Sequence, residues 1–198
     1  IHVVRNGIDT GFFQPRPASA THDLLFCGNM NYHPNVDAAG FLALEILPLV
    51  RRTHPAARLL IAGTSPAPRV LALASEAVTV SGWVEDIRDA YAAARVFVAP
   101  MRVGTGLQNK LLEAMAMERP SVTTPLANNA LHGRPGQDLL VGESAAELAA
   151  GISSLLDDAE AAARLGTRGR LFVREHYDWE ASTNQLEALF LSQLKSKS

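Results

Sequence analysis

Lys110 and Glu113 stand three residues apart in the run GTGLQNKLLEAMAMERP, residues 104–120, and a cation and a carboxylate at that spacing on a helix are neighbours in space. With a helix opening at Thr105, and Gln108 as its partner in a reciprocal capping pattern, Leu107, Leu111, Ala114 and Met115 fall on one stripe toward a core. Lys110, Glu113 and Met117 then fall on the opposite side. The start of such a helix carries unsatisfied backbone N–H groups and a partial positive charge, and Gly104 and Gly106 let a ligand come close to that backbone. These are the parts of an anion site. A diphosphate at the helix start would reach Lys110, and Glu113, one turn further on, would accept hydrogen bonds from a sugar diol such as a ribose. The same spacing equally suits a solvent-exposed ion pair worth ~0.2–0.5 kcal/mol, with Thr105 as a cap and nothing more, and spacing leaves both readings open.

Other residues carry similar double meanings. The turn Gly28-Asn29-Met30-Asn31 is either a phosphate-facing loop or a tight exit from the apolar run before it. Trp83, in GWVED, either flanks a base or caps the core. His33 is placed to touch a ligand, or is a structural histidine ahead of Pro34. The six histidines show no metal-ligand spacing such as two at i,i+4, so no metal and no cofactor is expected. A nucleophile elbow, a P-loop and a G-x-G-x-x-G fingerprint are all absent, which removes the residues that hydrolase, kinase and dinucleotide-dependent oxidoreductase chemistry require.

These residues need a scaffold, and the chain can supply one. It has 198 residues, 47% hydrophobic and 19% charged, enough for a large α/β core. Its 18 Lys and Arg against 20 Asp and Glu give a net charge of -2, which provides no basic field for nucleic acid or an anionic membrane. Cys27 is the only cysteine; it excludes an internal disulfide, fits a reducing, cytoplasmic setting, and reads as a small core residue. No apolar run approaches the ~18 residues of a membrane span. The opening IHVVRNGID begins in a strand-like run and turns at Asn6-Gly7, as if continuing from a longer chain.

Short apolar runs at 23–28, 58–63, 78–82, 94–100, 121–125 and 138–142 read as buried strands. Between and after them, helical spacing predicts helices from Pro34 to about 54 (stripe Val36, Phe41, Leu42, Leu44, Leu47, Val50), then at 69–75, 86–94, 105–117, 144–156, 158–176 and 178–194. The stretch LANNALHGRPGQ reads as a loop. Strand and helix alternate, the signature of an α/β, Rossmann-like doubly wound parallel sheet. Ligands in such sheets bind beyond the carboxyl ends of the strands, which directs attention to loops 28–33, 63–66, 82–86, 101–105 and 125–129.

Taken in order, RNGID with Phe13 and Pro15, FCGNMNYHPNVDA, LLIAG, VTVSGWVEDI, VFVAPMRVGTGLQNKLLEAMAMERPSV, DLLV and REHYDWEA resemble the carboxyl-terminal, donor-binding half of GT-B glycosyltransferases of the retaining family-4 type. QNKLLEAMA resembles in particular the sugar transferases of bacterial exopolysaccharide and PEP-CTERM clusters. The resemblance implies a linker and entry strand at 1–15, a nucleotide-sugar-binding domain at 16–177 and a crossover helix and tail at 178–198. It implies that Glu113 is the second glutamate of an E-x7-E motif and holds the donor ribose. Backbone amides around Thr105, Gly106 and Leu107, with Lys110, would bind the diphosphate. Gly28 and Asn29 would line the phosphate side, and the backbone near Trp83 and Val84 would meet the base. The donor is then a nucleoside-diphosphate hexose. A glycan or lipid-linked acceptor would be held by an amino-terminal domain, with association of the full-length protein at the inner membrane face. No catalytic residue is assigned within this half.

Two departures from the family pattern bear on this. Thr105 stands where the motif has its first glutamate, which removes a carboxylate contact to the transferred sugar. Glu118 stands where relatives end the helix with glycine, a cost of about 1 kcal/mol if that residue is left-handed. Other implied possibilities are a nucleotide-sugar epimerase of the same fold and a non-catalytic nucleotide-sugar sensor. Alone, the 198-residue chain is expected to bind donor nucleotide weakly and to transfer no sugar, and the apolar face of its last helix to favour self-association.

Overall fold

The computed structural model describes residues 6–17, 20–104 and 106–195; Thr105, residues 18 and 19, the first five and the last three lie outside the described residues. Six strands, β1 (His22–Cys27), β2 (Leu59–Ala62), β3 (Val78–Gly82), β4 (Ala94–Ala99), β5 (Ser121–Thr123) and β6 (Leu140–Val141), form one sheet in the order β3-β2-β1-β4-β5-β6. Every pairing is parallel. Leu24 is central, opposite Leu59 on one side and Val96 on the other. All four residues of β2 are buried, which is why its sequence is continuously apolar instead of alternating.

The chain lays down β1, β2 and β3 outward in one direction, then returns to place β4 on the other flank of β1. Loops leaving β1 and β4 therefore diverge, and a crevice opens between them at their carboxyl ends. Around the sheet lie α1 (His33–Phe41), α2 (Leu47–Val50), α3 (Pro68–Leu71), α4 (Ile87–Ala92), α5 (Asn109–Ala116), α6 (Pro125–Leu131), α7 (Ala145–Asp157), α8 (Ala159–His176) and α9 (Trp179–Lys195). α1, α2 and α7 pack as one layer, and α5 packs on α8 in the other.

Four expectations are corrected. The helix carrying Lys110 starts at Asn109, not at Thr105: Gln108 is its N-cap and makes no side-chain cap. Gly104 and Gly106 hold φ of 109° and 87°, left-handed values that a right-handed helix cannot pass through; Gly104, Gly106 and Leu107 are loop, and Leu107 precedes the stripe. Met117 is not on the polar side but buried. The long helix after Pro34 is interrupted by a π turn at Leu42–Ile46. Pro48 has no N–H for the carbonyl of Leu44 and its ring would collide with it, so the backbone widens just upstream and Leu44 turns outward, 68% exposed. Finally, 125–131 is helical: Pro125 opens α6 and a left-handed His132 closes it, with Asn128 hydrogen-bonded to both backbone groups of Gly133.

Glu118 is left-handed, with φ of 56°, so the cost of about 1 kcal/mol anticipated for it applies. At the other end of the chain Ile8 exchanges backbone hydrogen bonds with Tyr177 and Trp179, which stitches the entry segment to the junction of α8 and α9. Trp179, Leu186, Phe190 and Leu191 of α9 are exposed. Among the described residues no helix is long and apolar enough to cross a membrane.

Candidate functional site

The carboxyl ends of β1, β2 and β3 and the start of α5 enclose a cavity of about 470 Å³. Each element contributes by position. Cys27, Gly28 and Asn29 follow β1, Gly63 and Thr64 follow β2, Trp83, Val84 and Glu85 follow β3, and Leu107, Asn109, Lys110 and Glu113 come from α5 and its entry loop. Gly28, Asn29, Trp83, Val84, Leu107, Lys110 and Glu113, named from sequence, thus meet in one place. Gly106 is exposed and is not part of the lining, and Thr105 lies outside the described residues. His33 is exposed at the start of α1 and borders a different depression, with Arg69 and Arg102. Loops 101–104 and 125–129 contribute no wall to the cavity.

The close approach of two loops sets the cavity floor. A Cβ added to Gly63 would stand 1.8 Å from the carbonyl oxygen of Gly28, so β1 and β2 can end side by side only with glycine there. Gly28 in turn lies against the Lys110 ammonium: a Cβ on it would stand 3.2 Å from Nζ and 2.7 Å from Nδ2 of Asn35.

Lys110 and Glu113 are half-buried and each has its own partner, so neither belongs to a solvated surface pair. Lys110 Nζ donates to Oδ1 of the buried Asn35 and lies 4.7 Å from the centroid of the Phe26 ring. Asn35 Nδ2 donates to the carbonyl of Asn29 at 2.9 Å, which ties the β1 loop to the lysine. Glu113 Oε2 accepts from the Tyr91 hydroxyl at 2.8 Å, and the Cys27 thiol donates to the same hydroxyl at 3.0 Å. Trp83 is 73% exposed; it does not cap the core and stands free at the cavity rim.

Thr64 lies in the loop 63–66 that the sequence points to, whereas Asn35 and Tyr91 are not singled out by the sequence and Cys27 reads there only as core. A polar Asn on the inner face of α1 and a tyrosine deep in a short helix are the signals that pointed to them, since buried amide and phenol groups require partners.

Burial pushes the Lys110 ammonium down to about 8, against weaker upward pulls from Cys27 and Glu113. Burial likewise raises the Glu113 carboxyl, while the Tyr91 hydrogen bond and Lys110 hold it down. An anion beside Lys110 would favour the charged ammonium and raise its pKa. Affinity for a diphosphate placed there would be full below pH 8 and would decline as pH rises through 8, because binding would then have to take up a proton. Titrations should show about tenfold weaker binding at about pH 9 than at about pH 7; affinity independent of pH over that window would contradict the placement of Lys110 against the anion. Among the described residues no three His, Cys, Asp or Glu side chains are grouped to hold a metal ion.

The six-stranded parallel sheet makes this a Rossmann-like domain, with a lysine, a carboxylate and a helix start lining the cleft at the carboxyl ends of its strands. The family model for glycosyl transferases group 1 matches residues 21–158, and the chain belongs to that family. It is 27% identical, over 97% of its length, to glycogen synthase of Mycobacterium tuberculosis, covering 48% of that protein. Among solved structures, sucrose-phosphate synthase from Thermosynechococcus elongatus superposes with a TM-score of 0.78 at 22% identity, over 100% of this chain and 53% of that one. Anabaena Alr3699/HepE in complex with UDP and glucose gives 0.78 at 14% identity, over 96% and 56%. The fold is that of the carboxyl-terminal domain of GT-B glycosyltransferases, and the chain spans about half the length of the curated relatives it matches.

Proposed function

We propose that this chain is the donor-binding half of a retaining glycosyltransferase that moves a hexosyl group from a nucleoside-diphosphate sugar to a glycan or lipid-linked acceptor. The observation that carries this is the convergence of Lys110, Glu113, the start of α5 and the Gly28-Asn29 loop on one cavity. The diphosphate lies across the first turn of α5 and against Lys110, where N–H groups and the ammonium oppose the negative charge that develops on the leaving diphosphate. Glu113 accepts from the ribose hydroxyls, and the base extends toward Val84 and Trp83. Residues 16–177 form the nucleotide-sugar domain, and 178–198 cross toward an acceptor-binding domain. The resemblance of QNKLLEAMA to exopolysaccharide-type transferases supports a bacterial surface glycan as the acceptor class.

Calorimetric titration separates the parts of this reading. Glu113→Ala is expected to weaken UDP, GDP and ADP by about tenfold or more, the worth of hydrogen bonds to a charged group, and to leave inorganic pyrophosphate unaffected. Equal affinities for wild type and variant toward all four would refute the ribose role.

A non-catalytic nucleotide-sugar module is the second reading, favoured by Thr105 in place of the first motif glutamate. Transfer by a polypeptide carrying both halves decides between them: such a module binds donor without turnover.

A further inference from the structure

The geometry points to Tyr91 as a positioning residue for Glu113: its hydroxyl, oriented by the Cys27 thiol, fixes the carboxylate so that the cavity selects ribonucleotides over 2′-deoxyribonucleotides. This rests on the reading of Glu113 as the ribose ligand.

Tyr91 is fully buried at the end of α4, with its ring 5.5 Å from that of Phe97. A phenylalanine would fill the same space without the cost of desolvating a hydroxyl. That hydroxyl sits at a junction, facing Glu113 Oε2 at 2.8 Å, the Lys110 carbonyl at 3.2 Å and Cys27 Sγ at 3.0 Å. A phenol has one proton to give, and the nearer, charged acceptor is the stronger, so it goes to Glu113. The thiol is pushed up to about 12 by burial and remains protonated, which makes Cys27 the donor to the phenol oxygen. A directed chain results, from Cys27 S–H to Tyr91 O–H to Glu113 Oε2.

The consequence lies at the other oxygen. Among the described residues Oε1 has no hydrogen-bond partner, yet no buried side-chain oxygen or nitrogen is left unpaired, so Oε1 is open to the cavity that Glu113 lines. Anchoring Oε2 prevents the carboxylate from turning and presents Oε1 to a vicinal diol in a fixed direction. Without the hydroxyl the side chain gains rotamers, and the diol must order them on binding.

The test compares UDP with 2′-deoxy-UDP, GDP and ADP with their 2′-deoxy forms, and inorganic pyrophosphate, on the 198-residue chain and its variants. The unaltered chain is expected to prefer ribose by about tenfold or more. Tyr91→Phe should bring that ratio to within about threefold of unity with pyrophosphate affinity retained. A Tyr91→Phe ratio equal to that of the unaltered chain overturns the proposal, and so does a parallel loss of pyrophosphate binding, which marks the hydroxyl as a general structural support. An unaltered chain that binds diphosphates without any ribose preference removes the Glu113 reading and this inference with it. If Tyr91→Phe does not fold, the Cys27 pair decides. Cys27→Ser keeps a donor and should keep the ratio; Cys27→Ala should lower it, and identical ratios in the two variants overturn the relay.

Discussion

Lys110→Ala is expected to raise the dissociation constants of UDP, GDP, ADP and inorganic pyrophosphate alike by about 10- to 100-fold, the loss that accompanies removal of a charged hydrogen bond to phosphate. The loss should be uniform across bases, because the ammonium meets the part of the ligand that all four share. It should also come without a matching loss of stability. The wild-type chain keeps an ammonium in a half-buried position where its pKa falls to about 8, and alanine removes that desolvation while being the better helix former. Against this, Asn35 Oδ1 loses its donor, a cost of about 1 kcal/mol. Unfolding free energies of the two proteins are therefore expected to agree within about 1 kcal/mol. A variant that binds as tightly as wild type would remove the lysine from the anion site, and one that simply unfolds would recast it as structural.

Gly63→Ala should be the most damaging single methyl group in the domain. The added carbon would stand 1.8 Å from the carbonyl oxygen of Gly28 and 2.8 Å from its carbonyl carbon. Both are backbone atoms, with no flexible side chain to yield, and the φ of 135° at Gly63 is itself unfavourable for alanine. To accept the methyl, the ends of β1 and β2 must separate. Overpacking of this kind costs about 3 kcal/mol or more, and the separation shifts Gly28, which adjoins Lys110 Nζ. Urea unfolding and UDP titration should fall together. Gly40→Ala is the matched comparison. Gly40 lies in α1 with open space where a Cβ would go, and alanine there should stabilise the fold by about 0.5–1 kcal/mol. Similar stability for the two variants would contradict the tight loop contact.

The central strands were legible because a parallel sheet buried on both faces writes itself as unbroken apolar runs: the runs at 23–28 and 58–63 fall on β1 and β2. The placement of Lys110 and Glu113 on one face of a helix was legible because three-residue spacing is fixed by helix geometry. What holds each of them was not. Asn35 reaches Lys110 across 75 residues and Tyr91 reaches Glu113 across 22, and those contacts exist only because β4 returns beside β1, a matter of strand order that local spacing does not encode. The capping pattern at Thr105 and Gln108 suggested a helix start four residues early, since the same two glycines that admit a ligand also adopt left-handed backbone. LANNALHG read as loop because its turn-forming asparagines and glycine outweighed Pro125, which in fact opens α6. The residues named from sequence are those whose chemistry is local, and the ones it passed over are those whose contacts depend on the fold.

A crystal structure of the chain with UDP bound tests the central claim most directly. The pyrophosphate should lie between the first turn of α5 and the Gly28-Asn29 loop, within hydrogen-bond reach of Lys110 Nζ, with the ribose hydroxyls on Glu113 and the base toward Val84. UDP bound elsewhere, or in this cleft with its phosphates away from Lys110 and its ribose away from Glu113, would contradict the account.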